Sequence, residues 1–314
     1  MLVGEIAFAG AYFVVALLLF NRFAIDRQRN RLKDAFVLCG FVLLGIAVFA
    51  VEGLSLHMIL QLVLGILIFN GMLISYGSRI SLVYIALGVL FVLASLGLGY
   101  RLIAQAMLIG AMDEVAMMRG LRGERNGSKM LEARRDVLQL SAGAFFILLF
   151  YLVRADISGM VLILTILLGV ILINYARLYR RNGLSRLIYS LERKKTTLGN
   201  GALWLAMGSL VAASFLNPPS MIIIFAAMFI GDSLATIIGM AVRSPRLPYN
   251  RSKSIGGTFA YFLSTSLIAF PVVGPVSFLV GLVAAVIESI PWGLDDNFAV
   301  SFIITAAILV GKAL

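Results

Sequence analysis

The sequence has almost none of the side chains that form disulfides or bind transition metals. Its 314 residues include one cysteine, Cys39, and one histidine, His57. A single cysteine cannot close an intramolecular disulfide, and one histidine cannot hold a zinc ion alone. A disulfide-stapled domain and a zinc centre built on cysteine or histidine are therefore excluded, and we expect structural roles for both residues.

Charged residues are also scarce. They make up 13% of the chain, whereas hydrophobic residues make up 61% and the mean hydropathy is +1.02. A soluble domain carries about 25% charged residues, so a soluble fold of this length could not hide so much apolar surface. The apolar runs are long enough to cross a bilayer and do not alternate as strands would. We therefore predict an all-α, polytopic integral membrane protein of about 10–11 transmembrane helices.

The predicted helices divide the chain into three parts. Residues 1–110 hold N-terminal transmembrane helices to which the sequence gives no role. Residues 111–136 mix both charge signs with glycines and are predicted to be a cytoplasmic surface segment, while 137–314 form the main transmembrane domain. Spans are expected at 1–20, 35–51, 54–76, 80–100, 137–153, 157–176, 201–216, 221–241, 255–270, 273–291 and 297–314.

Two segments need separate interpretation. Either residues 101–112 enter the membrane or one earlier span is not a full crossing, because four crossings would otherwise leave the basic 101–136 segment outside. Residues 177–199 place apolar side chains at helical spacing among arginines, which indicates a basic amphipathic helix at the membrane surface. Those apolar residues are Leu184, Leu187, Ile188 and Leu191.

Positive charge is concentrated in a few places. The net charge is +11, and most of the 26 Lys and Arg residues fall in segments 21–34, 101–136, 177–195 and 243–253. This distribution is typical of cytoplasmic loops. No nucleic-acid-binding module is recognisable, so the charge indicates anionic headgroups or a nucleotide. We expect an integral protein of the cell membrane or an endoplasmic-reticulum-type membrane, with its site facing the cytoplasm.

Asp232 lies inside an otherwise uncharged apolar run, where an ionisable residue is costly and indicates function. Gly231, Ala235 and Gly239 recur every four residues around it, a stripe that allows close helix contact. Asp232 and Thr236 share the adjacent face. A packed polar pocket is predicted here, with a buried structural hydrogen bond as the alternative.

The next block follows that helix. Lys253 and Ser254 precede Gly256, Gly257 and Thr258 at the start of another span. Backbone N–H groups at a helix N-terminus, together with a lysine, favour an anion such as phosphate. The chain has no Walker motif, and an ordinary basic cytoplasmic loop is the alternative.

The third block is acidic. Glu288, Asp295, Asp296 and Asn297 cluster near the junction of the last two spans. Carboxylate and amide oxygens suit Mg²⁺, which commonly binds one or two carboxylates and a substrate's phosphates. Capping of the last helix by Asp296 or Asn297 is the alternative.

Together the three blocks resemble the CTP-dependent lipid kinases, a family that includes dolichol kinase, phytol kinase and the fungal diacylglycerol kinase. Phosphatidate cytidylyltransferase is a more distant relative of that family. The resemblance covers roughly residues 190–314. It rests on Gly231-Asp232-Ser233-Leu234-Ala235 with Gly239, on Lys253-Ser254 with Gly257-Thr258, and on Glu288-Ser289, Pro291 and Gly293-Leu294-Asp295-Asp296-Asn297.

The chain also departs from that family pattern. Thr197 stands where the family often has a histidine, and Gly256 where it often has an acidic residue. A basic-aromatic-glycine run that often follows the position of Gly239 is absent.

The resemblance implies transfer of the γ-phosphate of CTP to the hydroxyl of an isoprenoid alcohol. Dolichol or another polyprenol is the expected acceptor, with phytol or geranylgeraniol as alternatives. Catalytic roles are expected for Asp232, Lys253 and Asp296. Phosphate-binding residues are expected to be Arg193, Lys194, Lys253, Ser254, Gly257 and Thr258. The Mg²⁺ ligands are expected among Asp232, Glu288, Asp295, Asp296 and Asn297.

Two other functions stay open at this point. A cytidylyltransferase on the same scaffold would form a CDP-lipid from a lipid phosphate. A non-enzymatic transporter would use Asp232 as an ion-coupling carboxylate. The oligomeric state is not predicted.

Overall fold

The computed structural model describes residues 56–75, 77–118, 129–192, 198–242, 244–291 and 295–313. The predicted spans at 1–20 and 35–51, with Cys39, lie outside these residues. The described part of the chain contains no β-strand, only an isolated bridge between Arg246 and Ser254. Its helices are α1 Leu56–Ile74, α2 Ile80–Ala94, α3 Tyr100–Met118, α4 Lys129–Leu152, α5 Ala155–Leu178, α6 Gly183–Leu191, α7 Asn200–Phe215, α8 Pro218–Ala241, α9 Ile255–Val273, α10 Val276–Ser289 and α11 Asp296–Ala313.

The predicted all-helical class is confirmed. Within the described residues, four helices are long and apolar enough to cross a membrane: Ala133–Leu152 within α4, α5, α8 and α9. The other apolar helices of the described residues are shorter, at 10–17 residues. Among the four, α8 is 72% buried and the others are at most 33% buried, so α8 lies inside the protein.

Within the predicted surface segment 111–136, residues 111–118 belong to α3 and residues 129–136 to α4. The placement of this segment at a cytoplasmic surface stays a prediction. The side chain of Asp136 is only 1% exposed and accepts a hydrogen bond from Arg135 Nη2 at 3.3 Å. Residues 101–112, whose position was left open, belong to α3, whose Leu102–Ala111 stretch is buried.

The predicted helix within 177–199 is present as α6. Asn182 caps it, because Asn182 Oδ1 accepts hydrogen bonds from the backbone N–H groups of Leu184 at 2.9 Å and Ser185 at 3.3 Å. Ser185 is buried against the protein, whereas Leu184 and Leu187 are exposed. Leu184 and Leu187 therefore face away from the rest of the protein, whereas Ile188 and Leu191 are half-buried. The location of α6 at a membrane surface stays a prediction.

Helix α3 is the centre of the first half of the described fold. It packs between α1 and α7, and α7 in turn packs against α11. Helix α8 has the same role in the second half, where it contacts α4, α9 and α11. Close approach of α4 to α8 depends on Gly143, because a β-carbon there would overlap the side chain of Phe229. These contacts bring residues of α4, α8, α9, α10 and α11 into one region.

Candidate functional site

Asp232 follows a turn of π-helix in the middle of α8. The segment Ala226–Gly231 is π-helical, and the backbone N–H of Asp232 donates to the carbonyl of Ala227, five residues earlier. The carbonyl of Met228, which an uninterrupted α-helix would pair with that N–H, accepts from Gln139 Nε2 at 2.9 Å. Gln139 Nε2 also donates to Asp232 Oδ2 at 2.8 Å. A single amide on α4 therefore holds both the irregular turn and the carboxylate that follows it.

The small residues of α8 make its predicted close contact with α9. A β-carbon at Gly257 would lie 2.7 Å from the carbonyl oxygen of Ala235. A β-carbon at Gly239 would lie 3.1 Å from Ser254 Oγ, and one at Gly231 would lie 2.7 Å from Thr265 Oγ1. The prediction that this stripe allows close helix contact is confirmed, and the contact places the start of α9 beside the last turns of α8.

The loop between α8 and α9 is fixed to the end of α10. Tyr249 Oη and Ser289 Oγ are 2.8 Å apart, and Asn250 Nδ2 donates to the carbonyl of Ser289 at 2.8 Å. The backbone N–H of Leu247 donates to the carbonyl of Lys253 at 3.1 Å. These bonds hold Lys253 over the C-terminal turn of α10, where Glu288 lies.

Lys253 connects three elements through charge. Its Nζ forms an ion pair with Glu288 Oε1 and lies 3.0 Å from Asp296 Oδ2 at the start of α11. The Glu288 side chain is 2% exposed, that of Lys253 21% and that of Asp296 33%. A buried carboxylate such as Glu288 requires a counter-charge, and Lys253 supplies it.

The same surroundings set the pKa of Lys253. Burial acts to lower the pKa of this ammonium, but the nearby carboxylates of Glu288, Asp296 and Asp232 outweigh it. The net result is a pKa well above the ordinary value of 10.5. Lys253 therefore stays cationic at physiological pH and can attract an anion, but it cannot serve as a general base.

Buried polar atoms without a protein partner mark the same region. Glu288 Oε2, Thr258 Oγ1 and the hydroxyl of Tyr261 are buried and have no hydrogen-bond partner within the described residues. Buried polar groups are usually hydrogen-bonded, so each such exception calls for an explanation. A bound ligand that accepts from the hydroxyls and is held at the carboxylate would supply one.

A polar pocket of about 40 Å³ lies between these elements. Thr236 and Gly239 of α8, Thr258 of α9 and Glu288 of α10 contribute to its wall. Arg246 and Ser252, which the sequence did not single out, also line it. The remaining lining residues are Ala235, Met240, Lys253, Ser254 and Gly257.

The backbone donors expected at the start of α9 are already bonded to protein acceptors. The N–H of Ile255 donates to the carbonyl of Pro245 at 3.0 Å, and that of Gly256 to Ser244 Oγ at 3.0 Å. The N–H of Gly257 donates at 3.2 Å to Ser254 Oγ, which caps the helix. Anion binding here must therefore rest on side chains, and Gly257 serves close packing.

A second, apolar cavity of about 240 Å³ includes Phe229, three residues before Asp232, in its wall. It is bounded by α1, α3, α4, α5 and α7, and by Phe229 of α8. Its two hydroxyl-bearing residues, Thr165 and Ser209, donate to the carbonyls of Val161 and Leu205 in their own helices. The cavity wall is thus suited to hydrocarbon.

The acidic residues do not by themselves form a complete metal site within the described part of the chain. No three of the described His, Cys, Asp and Glu side chains lie close enough together to hold a metal ion. Mg²⁺ that binds through substrate phosphates needs only one or two protein carboxylates. Glu288, with its unbonded Oε2, and the neighbouring Asp296 satisfy that requirement.

Asp295 and Asp232, two of the other predicted metal ligands, each accept a hydrogen bond from within the protein. Asp295 Oδ1 accepts from the backbone N–H of Asn297 at 3.0 Å, so Asp295 caps α11 in place of Asp296 or Asn297. Asp232 Oδ2 accepts from Gln139 Nε2 at 2.8 Å and lies in sequence between Phe229, which lines the apolar cavity, and Thr236, which lines the polar pocket. Arg193 and Lys194 lie outside the described residues.

Gln139, Asp136 and Tyr261 were not predicted from the sequence. A glutamine at the start of an apolar run is unusual enough to be a signal, because polar side chains inside a membrane are generally functional or bonded. Tyr261 has no comparable signal, since an aromatic residue in an apolar helix ordinarily indicates core packing.

The fold and site define a helical protein with membrane-length helices and a buried lysine–carboxylate centre. The chain is 32% identical over 150 residues to the uncharacterized protein MJ1137 of Methanocaldococcus jannaschii. The match covers 47% of this chain and 77% of that protein, so the chain belongs to the same family. No model of a known protein family matches the chain, and no solved structure matches it.

Proposed function

We propose that the protein is a membrane-embedded lipid kinase that transfers the γ-phosphate of CTP to the hydroxyl of an isoprenoid alcohol, with dolichol or another polyprenol as the expected acceptor. The observation that carries the proposal is the meeting of Lys253, Glu288 and Asp296 at a pocket with unbonded buried oxygens. Phosphoryl transfer requires chiefly positioning and neutralisation of charge, and this pocket offers both.

The nucleotide phosphates are assigned to the polar pocket. Lys253 and Arg246 supply positive charge there, and Ser254 and Thr258 supply hydroxyls. Arg193 and Lys194 would add charge from the segment before α7. The resemblance to CTP-dependent lipid kinases identifies the nucleotide as CTP, since nothing in the pocket itself distinguishes one base from another.

Glu288 and Asp296 would hold Mg²⁺ together with the phosphates, and Asp295 and Asn297 would support them from the first turn of α11. Mg²⁺ bound there would neutralise charge that develops on the transferred group. Lys253 would then turn from the two carboxylates towards the phosphate oxygens. The ion pairs thus keep the carboxylates and the ammonium close to the positions that this role requires.

Asp232 is assigned the role of general base for the alcohol. Held by Gln139, its carboxylate accepts the proton of the hydroxyl as that oxygen forms a bond to the γ-phosphorus. The bond between the γ-phosphorus and the bridging oxygen breaks, and CDP leaves. The products are the lipid phosphate, CDP and the proton carried by Asp232.

A membrane location follows from the acceptor. Long isoprenoid alcohols reside in the bilayer, and the four long apolar helices are consistent with an integral protein. The proposed active site faces the cytoplasm of the cell membrane or an endoplasmic-reticulum-type membrane, where CTP is present.

The test compares three aspartate variants in purified protein supplied with CTP, Mg²⁺ and a polyprenol. Asp232→Asn and Asp296→Asn should each lower the rate of lipid phosphate formation by at least about a hundredfold. Asp156→Asn is the matched control, because Asp156 is 79% exposed and pairs with Arg154 at a distance of 3.8 Å. Full activity of Asp296→Asn would contradict the assignment of that carboxylate, and equal losses in all three variants would indicate a general effect on folding.

A further inference from the structure

We infer that the apolar cavity holds the hydrocarbon chain of a single-chain lipid alcohol, with its hydroxyl at Asp232. This inference rests on the proposed function and specifies the class of substrate and where its chain lies. It also gives a role to α1, α3 and α5, which lie outside the part of the chain that resembles lipid kinases.

Helix α8 connects the two cavities. Phe229, in the π-helical turn, lines the apolar cavity, Asp232 follows three residues later, and Thr236 lines the polar pocket four residues after that. Asp232 and Thr236 lie on one side of the α-helical part of α8. Phe229 and Thr236 are thus about 10 Å apart along the axis, with the carboxylate between them. A chain in one cavity and a phosphate in the other would meet at Asp232.

Contacts of helix α4 independently place Asp232 close to the apolar cavity. Gln139 donates to Asp232, and Ala142 and Phe146 line the apolar cavity three and seven residues further on. The ring of Phe146 lies 6.5 Å from that of Phe229, centroid to centroid. Both helices therefore place the carboxylate at the end of the cavity.

The cavity suits part of one hydrocarbon chain. Its volume of about 240 Å³ is below the roughly 300–1,000 Å³ of cavities that bury drug-sized ligands, so two acyl chains would not fit side by side. Thr165 of α5 and Ala202 of α7 both line the cavity and are exposed, and these two helices contact each other little. The remainder of a long chain can leave through this opening into lipid.

A single-chain alcohol in the apolar cavity also determines the role of Asp232. A hydroxyl whose chain extends past Phe229 reaches this carboxylate from the side opposite to Lys253. Asp232 then accepts the proton of the alcohol, and the polar pocket holds the nucleotide. A ligand with a second polar group inside the cavity would find no unbonded donor on Thr165 or Ser209.

Gly169 provides a direct way to fill the cavity. It lines the cavity within α5, and a β-carbon there would meet no atom within 4 Å. Gly169→Phe should therefore fill space without displacing backbone. Gly201→Phe is the matched control, because Gly201 on α7 has the same free space but does not line the cavity. Thr165→Phe, one turn from Gly169, is a second filling variant in case the first does not fold.

Two measurements are made on the full-length protein. The first is kcat/KM for a long polyprenol divided by kcat/KM for a short-chain alcohol. This ratio should fall at least tenfold in Gly169→Phe and stay at the wild-type value in Gly201→Phe. The second is photo-crosslinking with a long-chain alcohol that carries a diazirine in its chain, with the labelled peptides identified by mass spectrometry. Label should appear in α5 and α7, diminish with excess polyprenol and be lost in Gly169→Phe.

The outcomes separate the two proposals. If the wild-type protein phosphorylates polyprenol but the two filling variants, Gly169→Phe and Thr165→Phe, keep its ratio, the cavity does not hold the chain and the kinase proposal stands. If no phosphate transfer occurs with any alcohol but the crosslink at α5 and α7 depends on Gly169, the chain site stands and the kinase proposal is wrong. Competition by a diacyl lipid and not by a single-chain alcohol would overturn the assigned substrate class.

Discussion

Lys253 is the residue on which the proposed site depends. It reaches from a surface loop to Glu288 at the end of α10 and to Asp296 at the start of α11. Desolvating a buried ion pair offsets much of its attraction, so the pair adds little net stability relative to a well-packed apolar pair. Removing one partner is different, because it leaves a charge buried without a counter-charge.

This asymmetry gives the first prediction. Lys253→Met should lower the free energy of unfolding by about 3–5 kcal/mol, because Glu288 then lacks its partner. The double variant Lys253→Met/Glu288→Met should recover most of that loss while remaining inactive. Chemical denaturation in detergent measures both values. A double variant as unstable as the single one would show that the ion pair is not the cause.

The raised pKa of Lys253 gives the second prediction. Because the folded-state pKa exceeds the ordinary value of 10.5, the stabilising contribution of the ammonium is fully present below that pH and is lost only as the pH rises through the higher folded value. Acetylation of Lys253, followed by mass spectrometry, should stay slow from pH 7 to pH 10. Replacing its partners in Glu288→Gln/Asp296→Asn should lower the pKa and accelerate acetylation. Fast acetylation of the wild-type protein at pH 8 would contradict the raised pKa.

Gln139 is expected to act on catalysis only through Asp232. Loss of a hydrogen bond to a charged group costs about 1.5–3 kcal/mol, so Gln139→Leu should lower kcat roughly tenfold to a hundredfold. The KM for CTP should change much less, because the nucleotide binds in the polar pocket. Gln61→Leu is the control, since Gln61 Oε1 accepts from Ser95 Oγ in another part of the fold. A larger change in KM for CTP than in kcat would contradict the positioning role.

At the scale of helices, the contact between α8 and α9 sets the width of the polar pocket. Two adjacent glycines respond differently to an added methyl group. At Gly257 the methyl would meet the backbone carbonyl of Ala235, whereas at Gly256 it would meet the flexible side chain of Ser244 at 2.9 Å. Gly257→Ala should therefore destabilise the protein by about 1–3 kcal/mol. Gly256→Ala should be nearly neutral, because higher helix propensity offsets the small shift of Ser244.

Thermal unfolding of both variants, with CTP binding measured in parallel, checks this difference. Gly257→Ala should weaken CTP binding because the helices separate at the pocket. Equal stability of the two variants would mean that α8 and α9 do not make the close contact seen in the structure.

Part of this arrangement could be predicted from the sequence. Charged residues in an apolar chain are rare, so Asp232, Lys253, Glu288 and Asp296 stood out, and the four-residue spacing of small side chains indicated a packed helix. The helical class followed from composition. These features depend on residue type and on spacing within one segment.

The features of the site that could not be predicted from the sequence depend on contacts between distant segments. Gln139 meets Asp232 across 93 positions of sequence, and neither residue predicts the other. The π-helical turn in α8 has no recognisable sequence signal, although such turns often mark functional sites. The predicted anion site at the backbone N–H groups of α9 was wrong for a similar reason. Ser244 and Pro245, in the preceding loop, accept hydrogen bonds from the first N–H groups of α9.

At the scale of the whole molecule, the two halves of the described chain meet at the proposed active site. Helices α8–α11 supply the charged residues, and α1, α3, α5 and α7 enclose the apolar cavity with α4 between the two groups. An enzyme that joins a polar nucleotide to an apolar alcohol needs both environments on either side of one carboxylate. The proposed function therefore gives α1 and α3 a role as part of the substrate site.

The most direct test of the central claim is to determine which phosphate of CTP is transferred. Purified protein is incubated with Mg²⁺, a polyprenol and a phosphatidic acid, and the CTP is labelled at either the α- or the γ-phosphate. The proposed kinase predicts label from the γ position in a polyprenyl phosphate and none from the α position in lipid. Label from the α position would establish a cytidylyltransferase, and absence of both transfer and CTP binding would contradict the enzyme assignment altogether.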